Sequence, residues 1–172
     1  LRRSSAASDV YKRQVQAASP DFAFEMDLIA TGPLVFHGEN GFSQKSAEGQ
    51  ASYYYSQPFY KISGTFNLPD GDIPVTGSAW LDREWSSQPL SDDQTGWDWF
   101  SLSFEDGEKM MGFQLRQSDG SYYTSATWID ANGETQSYPD GAFMAEPLEE
   151  TRVAGRDVPT VSYTHLRAHE TQ

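Results

Sequence analysis

The sequence has no cysteine, so disulfide scaffolds, thiolate zinc sites and cysteine nucleophiles are excluded. Apolar residues are sparse at 37%, against the roughly 45–50% of an average globular domain. No run approaches the about 18 apolar residues of a membrane-crossing helix, so none is expected. Basic residues are few: 12 Lys and Arg face 25 Asp and Glu, a formal charge of −13. Such a chain repels nucleic-acid backbones, which are bound by basic patches, so no nucleic-acid partner is expected. There is no Gly-rich phosphate loop, no HExxH and no GxSxG, which removes nucleotide, zincin and serine-hydrolase readings. The acidic pairs Asp92-Asp93 and Glu149-Glu150 lack EF-hand spacing and read as solvated faces, so no metal and no cofactor is called for.

What is abundant is aromatic. Five Trp, nine Tyr and ten Phe make up 14% of the chain, enough to build a packed core. A length of 172 residues fits one domain, or one domain and part of another.

The two ends stand apart from the rest. Residues 1–14 (LRRSSAASDVYKRQ) and 161–172 (VSYTHLRAHETQ) show no clear period and resemble translated adapter or vector sequence; ordinary disordered tails are the plainer alternative. They hold five of the twelve basic residues and only two of the acidic ones, so the remainder is more acidic still. In either case no mechanism is built on His165 or His169. Residues 15–160 read as the folded material, cut from a longer protein.

Within that stretch, Asn40-Gly41, Asp70-Gly71, Asp106-Gly107, Asp119-Gly120, Asn132-Gly133 and Asp140-Gly141 are turn dipeptides that supply positive φ. Period-two segments lie between them. Tyr60, Ile62, Phe66 and Leu68 share one face of a strand, with Lys61, Ser63, Thr65 and Asn67 on the other. Met111, Phe113 and Leu115 alternate with Gln114 and Arg116. Strands are expected near 22–30, 33–37, 51–56, 59–68, 73–85, 97–105, 109–117, 121–130 and 134–138, with a short helix near Pro147 to Arg152. The fold class is therefore all-β and antiparallel, closed as a barrel or packed as a sandwich to protect its edges. The polar connection Ser86 to Gly96 is the longest in this stretch, the kind of loop that covers a site.

Four of the five tryptophans fall between Trp80 and Trp99. In GSAWLDREWSSQ, two-residue spacing turns Trp80, Asp82 and Glu84 one way and Leu81, Arg83 and Trp85 the other. In GWDWFSL, Trp97 and Trp99 share a face while Phe100, Leu102 and Phe104 lie in the opposite phase, so the strand carries a bulge or is apolar on both sides. A carboxyl beside an indole wall is desolvated and can hold a proton as a general acid. The same residues also fit an ion-pair patch over packed tryptophans. Tyr53-Tyr54-Tyr55 alternates faces, so at most two of the three line one pocket. His37, before the Asn40-Gly41 turn, reads as a turn or surface residue, without a partner histidine for a metal.

ASYYYSQP, GSAWLDREWSSQPL, GWDWFSL and the run Met110 to Arg116 together resemble the AttH and carotenoid-hydratase-like (CrtC-like) family, over about Asp21 to Pro147. Many bacterial members are labelled predicted secreted hydrolases. The resemblance implies lipocalin-like β-barrels in tandem at about twice this length, with parts of two barrels in this chain and their junction near 70–97. It also implies a periplasmic or secreted location and a hydrophobic small-molecule ligand of lipid or isoprenoid type. The hydratase branch protonates an isoprenoid double bond with a buried aspartate, in a pattern of Tyr-x-Asp before Asn-Trp. Asp82 and Trp85 agree with it, while Trp80 and Glu84 depart. An upstream His-x-Trp of that branch falls near Tyr53 and Tyr55, where both identities are lost. The resemblance thus implies Asp82 as candidate acid, with Glu84 beside it, and Trp80, Tyr53, Tyr55, Trp85, Trp97 and Trp99 as candidate ligand-binding residues. Aromatic faces would steady the cation that alkene protonation creates. A non-catalytic lipid-binding or envelope-assembly module is the rival reading, and an interaction domain using exposed Trp85, Trp97 or Trp99 is a third.

Overall fold

The structure, a computed structural model, describes residues 11–87 and 90–166. Of the two end segments, residues 1–10 and 167–172, with His169, lie outside the described residues, as do residues 88–89 of the polar loop. The chain is all-β. Its strands are β1 (Lys12–Ala18), β2 (Ala23–Ala30), β3 (Val35–Phe36), β4 (Phe42–Gln44), β5 (Ala51–Leu68), β6 (Gly71–Trp85), β7 (Gln94–Ser103), β8 (Lys109–Gln117), β9 (Tyr122–Ile129), β10 (Thr135–Tyr138), β11 (Phe143–Val153) and β12 (Arg156–Leu166). Strand structure thus reaches into both end segments.

Three sheets form, and among the described residues none closes into a barrel. In the first, β1, β2, β5 and β3 lie in that order, and β4 and β6 also pair with β5. The second runs β10-β9-β8-β7, and the third is the β11–β12 ribbon. The ladders with resolved register are antiparallel. Turn chemistry explains the hairpins. At Asn40-Gly41 both residues have positive φ, 52° and 93°, and Glu39 and Phe42 exchange backbone hydrogen bonds of 3.1 and 2.9 Å. That is the primed turn whose twist suits antiparallel strands.

Three expectations change. The helix near Pro147 to Arg152 is strand β11. The ribbon turns on Ala154-Gly155, with φ 49° and 83°, and alanine is not a residue that signals such a turn. Pro147 sits at a register shift of the ladder, where a missing N–H is tolerated. The expected strands 51–56 and 59–68 are one strand, β5, with Pro58 buried inside it. Strands β1, β4 and β12 also form outside the expected set.

Two compact units arise. One comprises the described parts of residues 1–35 and 55–83, the other those of residues 36–54 and 84–172. The first unit's core is Met26, Leu28 and Tyr60, with Phe24, Ile62, Val75, Ala79 and Leu81 against it. The second unit packs Met110, Ala126, Phe143 and Ala145 with Phe100, Leu102, Trp128 and Tyr138.

Strand β7 resolves the phase question in both ways. A register irregularity lies between Gln94 and Gly96. Beyond it, Phe100 and Leu102 enter the core while Trp97 and Trp99 project on the opposite face, in the alternation a pleat imposes. Gly112 of β8 lies under Phe143: a Cβ there would come 2.9 Å from the ring's Cζ. Phe143 is 1% exposed and has no room to swing away. Gly112→Ala should therefore destabilise by about 1–3 kcal/mol through overpacking, although alanine is ordinarily the better strand residue. A urea midpoint unchanged or raised, at constant m-value, would contradict this.

Candidate functional site

In the first unit, Asp82 Oδ1 accepts a hydrogen bond from Trp80 Nε1 at 2.9 Å and another from Ser56 Oγ. Two-residue spacing on β6 puts the indole and the carboxyl on one side of the strand, as expected. Ser56 is fully buried, and Trp80 and Asp82 are half-buried. The two donors fix the orientation of the carboxyl. Tyr55, beside Ser56, is half-buried.

The second unit holds Glu84 in a different setting. Its Oε1 accepts from Ser52 Oγ at 2.5 Å and pairs with Lys45 Nζ at 2.7 Å. The Lys45 ammonium lies 3.9 Å from the ring centroid of Phe113 and 5.1 Å from that of Tyr54. Tyr54 Oη accepts from Trp99 Nε1 at 3.0 Å. The imidazole of His37 packs on the Tyr54 ring, 4.3 Å between centroids, and its Nδ1 meets Thr127 Oγ1 at 3.0 Å. Burial, with the nearby Lys45 charge adding to it, pushes His37 down from 6.5 to about 3. Lys45 is also lowered, chiefly by desolvation and against the pull of Glu84.

His37 is thus fully buried rather than at a turn surface. Its place in the apolar run Leu34-Val35-Phe36 is the one signal that could have shown this. Lys45 had no signal: it sits in a polar stretch, and its partners Glu84 and Phe113 are remote in sequence.

The other candidates divide. Tyr53 and Trp85 are exposed and stack on each other at 6.0 Å, with Phe42 edge-on to Tyr53 at 6.3 Å. Trp97 and Trp99 are 60% and 41% exposed, so all three tryptophans named for an interaction surface reach solvent. An open groove of about 340 Å³ has Asp98, Phe100, Gln114, Ala145 and Pro147 among its walls, along with Trp97 and Trp99; Asp82 and Glu84 do not line it. Asp98 is engaged by Arg116 at 2.5 Å and by Gln114 Nε2 at 3.2 Å. Among the described residues no cluster of three or more His, Asp or Glu could hold a metal ion, and no helix is long and apolar enough to cross a membrane.

No curated protein sequence matches this chain. A solved structure of a protein assigned as AttH from Nitrosomonas europaea is similar at 38% identity and TM-score 0.84, covering 90% of this chain and 50% of its own. Kievitone hydratase from Nectria haematococca shares the fold at TM-score 0.72 and 20% identity, over 90% of this chain and 48% of the other. The present chain therefore spans about half the length of these solved proteins. The profile of the family described as AttH-like matches residues 1–172. On that match, and on the likeness to the Nitrosomonas protein, the chain belongs to the AttH-like family.

Proposed function

We propose that this chain is part of an extracytoplasmic protein that binds a hydrophobic ligand of lipid or isoprenoid type and acts on it as a hydratase or hydrolase, with Asp82 as general acid. The observation that carries this reading is the Asp82 environment: a half-buried carboxyl held by the indole N–H of Trp80 and the hydroxyl of buried Ser56. An acid that protonates an alkene must be aimed and partly screened from water, and an indole face beside it steadies the cation that forms. Kinship with a fold that includes kievitone hydratase supports a hydratase- or hydrolase-like frame. The ion pair of Glu84 with Lys45 favours the rival reading, a non-catalytic lipid-binding or envelope-assembly module, because it is a structural use of a carboxylate.

The test is native mass spectrometry of the protein purified from its host envelope. An apolar compound should co-purify and be released by organic solvent. A protein that carries none, and whose tryptophan fluorescence is unmoved by fatty acids, polyprenols and carotenoids, would overturn the proposal.

A further inference from the structure

We propose that the outer edge of β7 is a docking site for an extended peptide segment of a partner protein, basic at its ends, which joins the sheet as a further strand. The reading built on Asp82 makes no use of this edge, and Asp82 does not line the groove beside it.

Strand β7 ends its sheet. The order is β10-β9-β8-β7, and among the described residues β7 pairs with β8 alone. The backbone N–H and C=O groups that point away from β8 have no ladder partner, so they can receive another strand. Proteins blunt such edges by keeping them short or by placing lysine or proline on them. Strand β7 has ten residues and neither lysine nor proline. Its register irregularity lies between Gln94 and Gly96, which leaves Trp97 to Ser103 in regular pairing. Other outer strands differ. β10, at the far end of the same sheet, has four residues. β1, in the first unit, opens on Lys12-Arg13.

The open groove follows this edge. Trp97 and Trp99 project on one face of β7 and Asp98 and Phe100 on the other, yet all four line it. A groove reached by four consecutive residues runs along the strand's edge, because a pleat sends alternate side chains to opposite faces. Pro147 of β11 and Pro159 of β12 stand in its other wall, and neither has an N–H with which to close on β7. The one charge within the strand, Asp98, is already engaged by Arg116 and Gln114. An added strand would bond to the β7 backbone and send alternate side chains into the groove beside the two indoles.

Charge selects the occupant. Asp92-Asp93 directly precedes β7, Glu105-Asp106 follows just after it, and all four side chains are exposed. The whole chain carries −13. A second copy paired edge to edge would set these acidic ends against each other. A segment with lysine or arginine at both ends is attracted whichever way it runs.

The full chain is mixed with a peptide of four Val-Thr repeats between lysine pairs, and amide hydrogen exchange is followed by NMR. Exchange of the β7 amides that face away from β8 should slow by about tenfold at saturation, with β1 and β10 unchanged. The same peptide with glutamates for lysines should bind at least about tenfold more weakly. A version with prolines for two of the valines cannot complete the ladder and should give no protection. Trp97→Lys places a blunting charge on the edge and should abolish the effect. No protection of β7, equal binding of the lysine and glutamate peptides, or equal binding of the proline version would overturn the proposal. So would protection that needs no peptide and grows with protein concentration, the signature of a second copy on this edge. The wild-type measurements decide this if the variant fails to fold.

Discussion

Asp82→Asn is expected to lower turnover of the compound that co-purifies with the protein by about 10²–10⁴-fold, the share a general acid contributes. Asparagine is the informative replacement. Its amide oxygen still accepts from Trp80 Nε1 and Ser56 Oγ, so the two contacts that aim the side chain are kept. What is lost is the transferable proton. The loss should therefore fall on kcat, with KM little changed, as for an interaction made only in the transition state. Thermal unfolding of wild type and variant should nearly coincide. Turnover that survives the substitution would remove Asp82 as the acid, and a loss confined to KM would make it a binding residue.

Acidification should destabilise the protein through His37, by on the order of 4–5 kcal/mol when complete. The folded state holds His37 neutral with its pKa lowered from 6.5 to about 3, by burial first and by the Lys45 charge second. An unfolded chain takes up that proton near its ordinary value. Below 6.5 the unfolded state therefore binds more protons at this site, and stability falls until about 3, where the folded state also protonates. Above 6.5 the group adds no pH dependence. The carboxylates also titrate in part of this window, so the measurement is a difference. Urea midpoints are compared for wild type and His37→Gln, whose amide can still meet Thr127. The wild type should lose more stability between neutral pH and pH 4.5, a value inside the window. NMR offers a direct check: an imidazole assigned to His37 that titrates near its ordinary value would refute the account.

Much of the architecture was legible because it depends on neighbours in sequence. Six Asn-Gly and Asp-Gly dipeptides mark turns, and each glycine has positive φ. Period-two runs identify β5, β6 and β8 because a pleat alternates faces. The placing of Trp80 and Asp82 on one side needs only the two-residue repeat, and their hydrogen bond follows. The opposed phases of Trp97-Trp99 and Phe100-Leu102 announced a strand that is bulged or apolar on both sides, and family membership was readable in the same blocks.

The remainder was decided by contacts that no local pattern encodes. Strand β11 was misread because EPLEETR has no strand period, and its partner β12 and the left-handed Ala154 settle the matter. His37 is buried because Thr127, ninety residues away, satisfies its ring nitrogen, and Tyr54 covers its face. Lys45 and Glu84 are unremarkable polar residues until the fold brings them to 2.7 Å beneath aromatic rings. Sequence by itself determined which residues alternate, where the chain turns and to which family it belongs, since each depends on covalent neighbours and steric rules. Tertiary structure alone decided which charges meet and which are stripped of water, because burial and Coulomb energy depend on distance in space.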